Sequence, residues 1–150
     1  MQFPDKIPIE RMEEYHTHYL GKTLNGQQFW GYVAFIYTVF PKDVKGDWRD
    51  YRNEYAILHL FDKEGNHLNT KHWLGGTTNE VSDIQLYSRL EEMIAELGEI
   101  GFCDIEVKLF TTVIDDVTFG IVPDSACGFI NLEPYATIAF GAPWDGSYST

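Results

Sequence analysis

Cysteine is scarce in this 150-residue chain: Cys103 and Cys127 are the only two, too few for a disulfide framework. They read as two small buried hydrophobes in a reducing compartment. A single disulfide or a reactive thiol are the other readings, and neither has a flanking His or CxxC spacing. Long hydrophobic runs are missing as well. The longest apolar stretch, Phe29–Phe40, is interrupted by Gly31 and Thr38 and is too short to span a bilayer. Met1–Glu14 holds no apolar run, so no signal peptide is read there, and the expected location is cytoplasmic. Positive charge is nearly absent from one half. Residues 76–150 carry only Arg89 and Lys108 against thirteen Asp and Glu, a balance of −11 within a net charge of −12. A field of that sign repels nucleic acid and anionic membrane and attracts a basic protein partner. Acidic surfaces also keep proteins soluble, but solubility does not require the asymmetry.

What is present is core-forming material: 44% hydrophobic and 15% aromatic residues, enough for a packed interior without metal or disulfide. With no repeat, low-complexity tract or linker, residues 1–150 read as a single domain. Glu14–Leu20 alternates as a first strand, and Asn25-Gly26 turns the chain. Gln27–Phe40 is rich in aromatic and β-branched residues and apolar on both faces, which predicts a central strand. Pro41–Asn53 is a polar loop with room for a helical turn. Glu54–Phe61 and His67–Leu74 form a hairpin around Asp62-Lys63-Glu64-Gly65. Leu86, Leu90, Met93 and Leu97, flanked by Ile84, Tyr87 and Ile94, then make a helical apolar stripe. Gln85, Arg89, Glu92, Glu96 and Glu99 lie opposite it. Ser82 or Asn79 caps the start and Gly98 the end, so one amphipathic helix is predicted over about 80–98. Phe102–Thr112 and Val117–Val122 pair across Asp115-Asp116. Gly128–Leu132 and Ala136–Phe140 are short final strands, and Gly141–Thr150 is an aromatic coil whose Trp144 and Tyr148 pack back over the sheet. The expected fold is α+β, a mostly antiparallel sheet with the helix packed on one face.

Groups suited to catalysis or metal binding are sparse. His16 and His18, two apart on the expected first strand, share a face and are metal-ligand candidates. No third ligand is marked, so the expectation is no metal and no cofactor. His59 and His72 lie on the two arms of the hairpin and are expected as neighbours, each more simply a hydrogen-bonded core imidazole. Gly75-Gly76-Thr77-Thr78 precedes the helix but no lysine follows, and Glu80 and Asp83 occupy the place of a phosphate. Asp115 and Asp116 suit a tight turn better than a shared proton. Ser125 lacks the G-x-S-x-G elbow, and no His follows it.

Several segments together are similar to a known family: Ile7-Pro8-Ile9, Gly26-Gln27-Gln28-Phe29, Trp48, Tyr55–Asp62, Trp73–Thr78 and the ending Pro143–Thr150. The chain resembles small bacterial proteins labelled formate-hydrogenlyase regulatory proteins, over most of its length. The resemblance implies a regulator and supplies no catalytic or ligand residues. A single acidic helix, in place of a basic helix-turn-helix, directs that role to protein contacts. The expected function is therefore a non-enzymatic binding or regulatory protein, with Glu92, Glu96 and Glu99 as partner-binding residues. The alternatives are an immunity protein that neutralises a basic toxin, and a small hydrolase using His16/His18 or His59/His72.

Overall fold

The computed structural model describes residues 2–14 and 16–150. The expected central strand is β3 (Gln28–Tyr37). Its neighbours are β2 (Tyr19–Thr23), joined through the Asn25-Gly26 turn, and β4 (Arg52–Phe61). Gly26 takes φ 87°, which the turn requires and its missing Cβ permits. Adding β5 (His67–Thr77) and β6 (Ile100–Phe102) completes a five-stranded antiparallel sheet in the order β5-β4-β3-β2-β6. Pro41–Asp43 and Trp48–Tyr51 are 3-10 turns within the expected loop.

The β4–β5 turn is built by Asp62, whose carboxylate accepts from the backbone of Glu64 (3.0 Å) and Asn66 (2.8 Å). Gly65, at φ 92°, sits so close to the next layer that a Cβ would lie 2.8 Å from the Glu106 carbonyl oxygen. That layer includes β7 (Ile105–Lys108), paired antiparallel with β1 (Lys6–Ile9). Strand β1 was not expected. Its alternating Ile7 and Ile9, with Ile105 and Val107 opposite, are buried.

A second five-stranded sheet runs β12-β11-β10-β9-β8, comprising β8 (Phe110–Ile114), β9 (Val117–Asp124), β10 (Phe129–Glu133), β11 (Ala139–Phe140) and β12 (Tyr148–Ser149). The two sheets face each other. Trp30, Tyr32, Tyr55, Ile57 and Phe61 of the first meet Phe110, Phe119, Ile121, Ile130 and Phe140 of the second in one buried cluster. On the other face of the first sheet, Phe29, Ala56, Leu58 and Leu60 pack under the helix α1 (Asp83–Ala95) through Leu90, Met93 and Ile94. The fold is α+β, mostly antiparallel, with its helix on one face. Two faces of β3 and β4 are covered, which is why both strands read as continuous apolar runs.

The helix is shorter than the expected span of about 80–98. Ser82 is its N-cap, in a reciprocal capping box: Ser82 Oγ accepts from the Gln85 amide at 3.2 Å and Gln85 Oε1 accepts from the Ser82 amide at 2.9 Å. Replacing Ser82 by Ala is expected to cost about 1 kcal/mol in denaturant unfolding. Ile84 does not flank the apolar stripe. It is 83% exposed, because two residues from Leu86 is about 200° around a helix of 3.6 residues per turn.

Other expectations are corrected. The strand expected over 14–20 begins only at Tyr19, and Tyr15 lies outside the described residues. Phe102–Thr112 is three strands, β6, β7 and β8, because each piece pairs with a different partner: β2, β1 and β9. The cysteines are not buried hydrophobes; both are free, Cys103 half-buried and Cys127 exposed. The tail does pack back. Gly146 O accepts from the Glu10 amide at 3.0 Å, Trp144 lies edge-on to Phe3, and Tyr148 sits against Phe140.

Candidate functional site

Strand β2 pairs with only the first part of β3, up to Gly31. From Tyr32 to Tyr37 the side of β3 turned away from β4 has no neighbouring strand among the described residues. A groove of about 800 Å³ runs along that open side. Val33 and Phe35 form one wall with Asp83 and Tyr87 of α1. Tyr32 and Ala34, turned towards the second sheet, form the other with Leu132 and Glu133, and Tyr135 reaches across the edge to Phe35. His16 and Thr150 also line it.

Tyr135 follows Pro134, joined to Glu133 by a cis peptide bond, and holds φ 69°. Its ring stacks on Phe35 at 5.5 Å and its hydroxyl accepts from the Tyr37 amide at 2.9 Å. Tyr37, Trp48 and Tyr135, linked through Phe35 and Arg52, are all exposed, an aromatic concentration that marks contact surfaces more often than solvated ones. Beside them the Arg52 guanidinium lies between Phe35 and Trp48, 4.3 and 4.8 Å from the ring centroids. It donates to the buried Glu54 carboxylate from Nη2 at 2.7 Å and from Nε at 3.0 Å, and Thr78 Oγ1 donates to the same carboxylate at 2.8 Å. Glu54 is thus neutralised within the protein, and Asp83 and Glu133 are left as the groove's remaining side-chain carboxylates.

At the His16 end, the Glu14 carboxylate accepts from the His16 amide at 3.0 Å and bonds the imidazole Nδ1 at 3.1 Å. The Tyr148 hydroxyl donates to the same carboxylate, so its oxygen accepts from Thr17 Oγ1, at 2.6 Å. Burial acts to raise the Glu14 pKa, but these hydrogen bonds and the His16 charge outweigh it, and the carboxyl titrates below its usual range. Burial and then the Glu14 carboxylate push Tyr148 up. His16 and His18 do not form a common site. His18 lies against Tyr19 and Phe102 instead, with its Nδ1 buried and without a hydrogen-bond partner among the described residues. No group of three or more His, Cys, Asp or Glu side chains among the described residues is placed to hold a metal ion.

The hairpin histidines are also rearranged. His59 does not meet His72; its neighbour is His67, ring centroids 6.1 Å apart. The β4–β5 register sets Thr70 opposite His59 and puts His72 across from Ile57. Fully buried His59 shares hydrogen bonds with the Tyr32 hydroxyl (Nε2, 2.8 Å) and Thr70 Oγ1 (Nδ1, 2.7 Å), and Thr70 in turn bonds His67 Nε2 at 2.8 Å. Burial first, then the His67 charge, lowers the His59 pKa to about 3, and burial raises Tyr32. This is a neutral, satisfied network inside the core, remote from the outer face of α1.

The remaining candidates are structural. Gly75, Gly76 and Thr77 belong to β5, and the Glu80 carboxylate accepts from the Thr77 amide at 2.9 Å. Asp115 and Asp116 make the β8–β9 turn at φ 49° and 65°, and Asp115 accepts from the Tyr55 hydroxyl at 2.5 Å. Ser125 lies in the exposed β9–β10 turn. Glu92, Glu96 and Glu99 are exposed, as is Glu91, and Arg89 pairs with Glu92 at 3.0 Å. Sequence reasoning missed the groove: its walls come from segments about fifty residues apart, and no local pattern reports where β2 stops short of β3. No helix is long and apolar enough to cross a membrane among the described residues. No family model, curated protein or solved structure matches the chain.

Proposed function

We propose that this is a non-enzymatic binding or regulatory protein that acts through contacts with a basic protein partner. The observation that carries the reading is the outer face of α1. Glu91, Glu92, Glu96 and Glu99 stand exposed on or just beyond it, with one cation, Arg89, to offset them. Like charges three and four apart weaken a helix by a few tenths of a kcal/mol per pair, so helix stability does not account for the pattern. A basic partner relieves that repulsion and gains association rate from the field. The same field opposes nucleic acid, and the two free cysteines suit a reducing, cytoplasmic setting. Regulation through protein contacts is also what the resemblance to formate-hydrogenlyase regulatory proteins implies.

The test is affinity capture from the source cells at low and moderate salt, with wild type and a Glu92→Lys/Glu96→Lys variant. The expected result is a basic protein retained by wild type at low salt, weakened by added salt and lost from the variant. Equal capture of one partner by both proteins, insensitive to salt, would sink the reading.

A further inference from the structure

The open side of β3 presents backbone as well as side chains. Thr23 donates its amide to Gln27 O on the β2 side of the sheet, and Gly31 and Phe29 lie opposite Tyr19 and Gly21 there. Odd-numbered residues of this strand therefore direct their N–H and C=O away from β4. The Tyr37 amide, donating to Tyr135, keeps that phase, and the Thr38 amide, donating to Tyr51 O, faces the β4 side as the alternation requires. Between Gly31 and Tyr37 the phase leaves Val33 and Phe35, whose four backbone polar groups have no hydrogen-bond partner among the described residues. Both residues are half-exposed and both line the groove.

We infer that this edge receives an extended, basic segment of the partner protein, added as a strand beside β3 where β2 ends. The inference rests on the binding function proposed above and names where and how the partner seats. Strand addition satisfies the four open groups with main-chain bonds, and the guest's alternate side chains fall on the two walls. On one side they meet Asp83 and Tyr87, on the other Leu132 and Glu133. Each wall thus carries one carboxylate without an ion pair among the described residues, and Tyr87 lies one helical turn from Asp83, a setting for Lys or Arg heads with apolar stems. Tyr135, bonded to the Tyr37 amide, closes one end of the edge. Because Asp83 and Tyr87 belong to α1, the edge is continuous with the acidic helix, and one partner can engage both.

The probe is a displayed library of random twelve-residue peptides selected on the immobilised protein, followed by solution binding of the enriched peptide. Val33→Pro and Phe35→Pro each delete one open N–H without removing a β3–β4 bond. Either variant is used once its far-ultraviolet spectrum and unfolding midpoint match wild type. A folded Phe35→Leu variant serves as control, since it keeps the N–H. The expected result is enrichment of sequences that alternate Lys or Arg with apolar residues. Their binding should fall about tenfold or more in a proline variant, hold in Phe35→Leu and lose much of its salt dependence in Asp83→Asn/Glu133→Gln. The Val33 and Phe35 amides should gain protection from hydrogen exchange in the complex. Peptides that bind the proline variants as well as wild type, that leave those amides unprotected, or that fail to enrich at all overturn the strand-addition site. Loss of the cellular partner in Glu92→Lys/Glu96→Lys, with retention in Phe35→Pro, would discard this inference and leave the proposed function standing.

Discussion

Lowering the pH from about 6.5 to about 5 is expected to cost the folded protein roughly 2 kcal/mol through His59 alone. His59 is fully buried and stays neutral until about pH 3, whereas in the unfolded chain it takes up a proton near pH 6.5. Between those values the unfolded state binds the extra proton, so stability is full above the unfolded pKa and falls as pH drops towards the folded one. The slope approaches about 1.4 kcal/mol per pH unit, and the whole interval amounts to about 5 kcal/mol. His67, also lowered by burial, acts in the same direction. The carboxyls that titrate low in the folded state, such as Glu14, contribute their loss only as pH falls through and below the ordinary carboxylate range near 4.5, which leaves the interval above about pH 5 to the imidazoles. Urea unfolding across that interval measures the effect. His59→Gln should be less stable at neutral pH, because Gln cannot reach both Tyr32 and Thr70, yet show a shallower slope. A wild-type stability that does not change between neutral pH and about pH 5 contradicts the buried neutral assignment.

Leu90→Ala is expected to destabilise by about 2–5 kcal/mol, as a truncation in a filled interior. Leu90 has no exposed surface, and a Cβ placed on Gly31 of β3 would lie 2.9 Å from its Cδ1. The strand has no side chain at that point because the helix occupies the space, so it cannot move in to close the cavity. Glu96→Ala, on the exposed face, should change stability by about 0.5 kcal/mol or less. Chemical denaturation of both variants tests the helix phase directly. Equal losses from the two would mean that α1 presents a different face to the sheet.

Local chemistry made much of the fold legible. The hairpin around Asp62 and Gly65, the central placement of β3 and the Leu86–Leu90–Met93 stripe each follow from short-range patterns that the structure keeps. The division into two sheets was not legible. Alternation in Phe102–Thr112 says that a segment is extended and which residues face inward, but not that it changes partner twice in eleven residues. Nor does it say that Ile7 and Ile9 lie beside Ile105 and Val107, since pairing across almost a hundred residues leaves no local trace. The histidines show the same limit. Their positions on two strands were readable, but the bulged β4–β5 register decided that His59 meets Thr70 and His67 rather than His72.

The sequence by itself determined the charge and its uneven division, the aromatic and apolar content that fills two core layers, and the one amphipathic helix, with Ser82 and Asn79 both open as its cap. These are sums or short-period patterns, and they hold whatever the chain does at longer range. Only the tertiary structure decided that Arg52 neutralises Glu54 between two rings, that Tyr135 caps one end of an open strand edge, and that Asp83 and Glu133 stand on opposite walls beside it. The edge exists because β2 leaves β3 after Gly31 and no other described strand takes its place. Strand length and pairing are settled by competition among distant segments for the same backbone hydrogen bonds, and that competition is won in three dimensions.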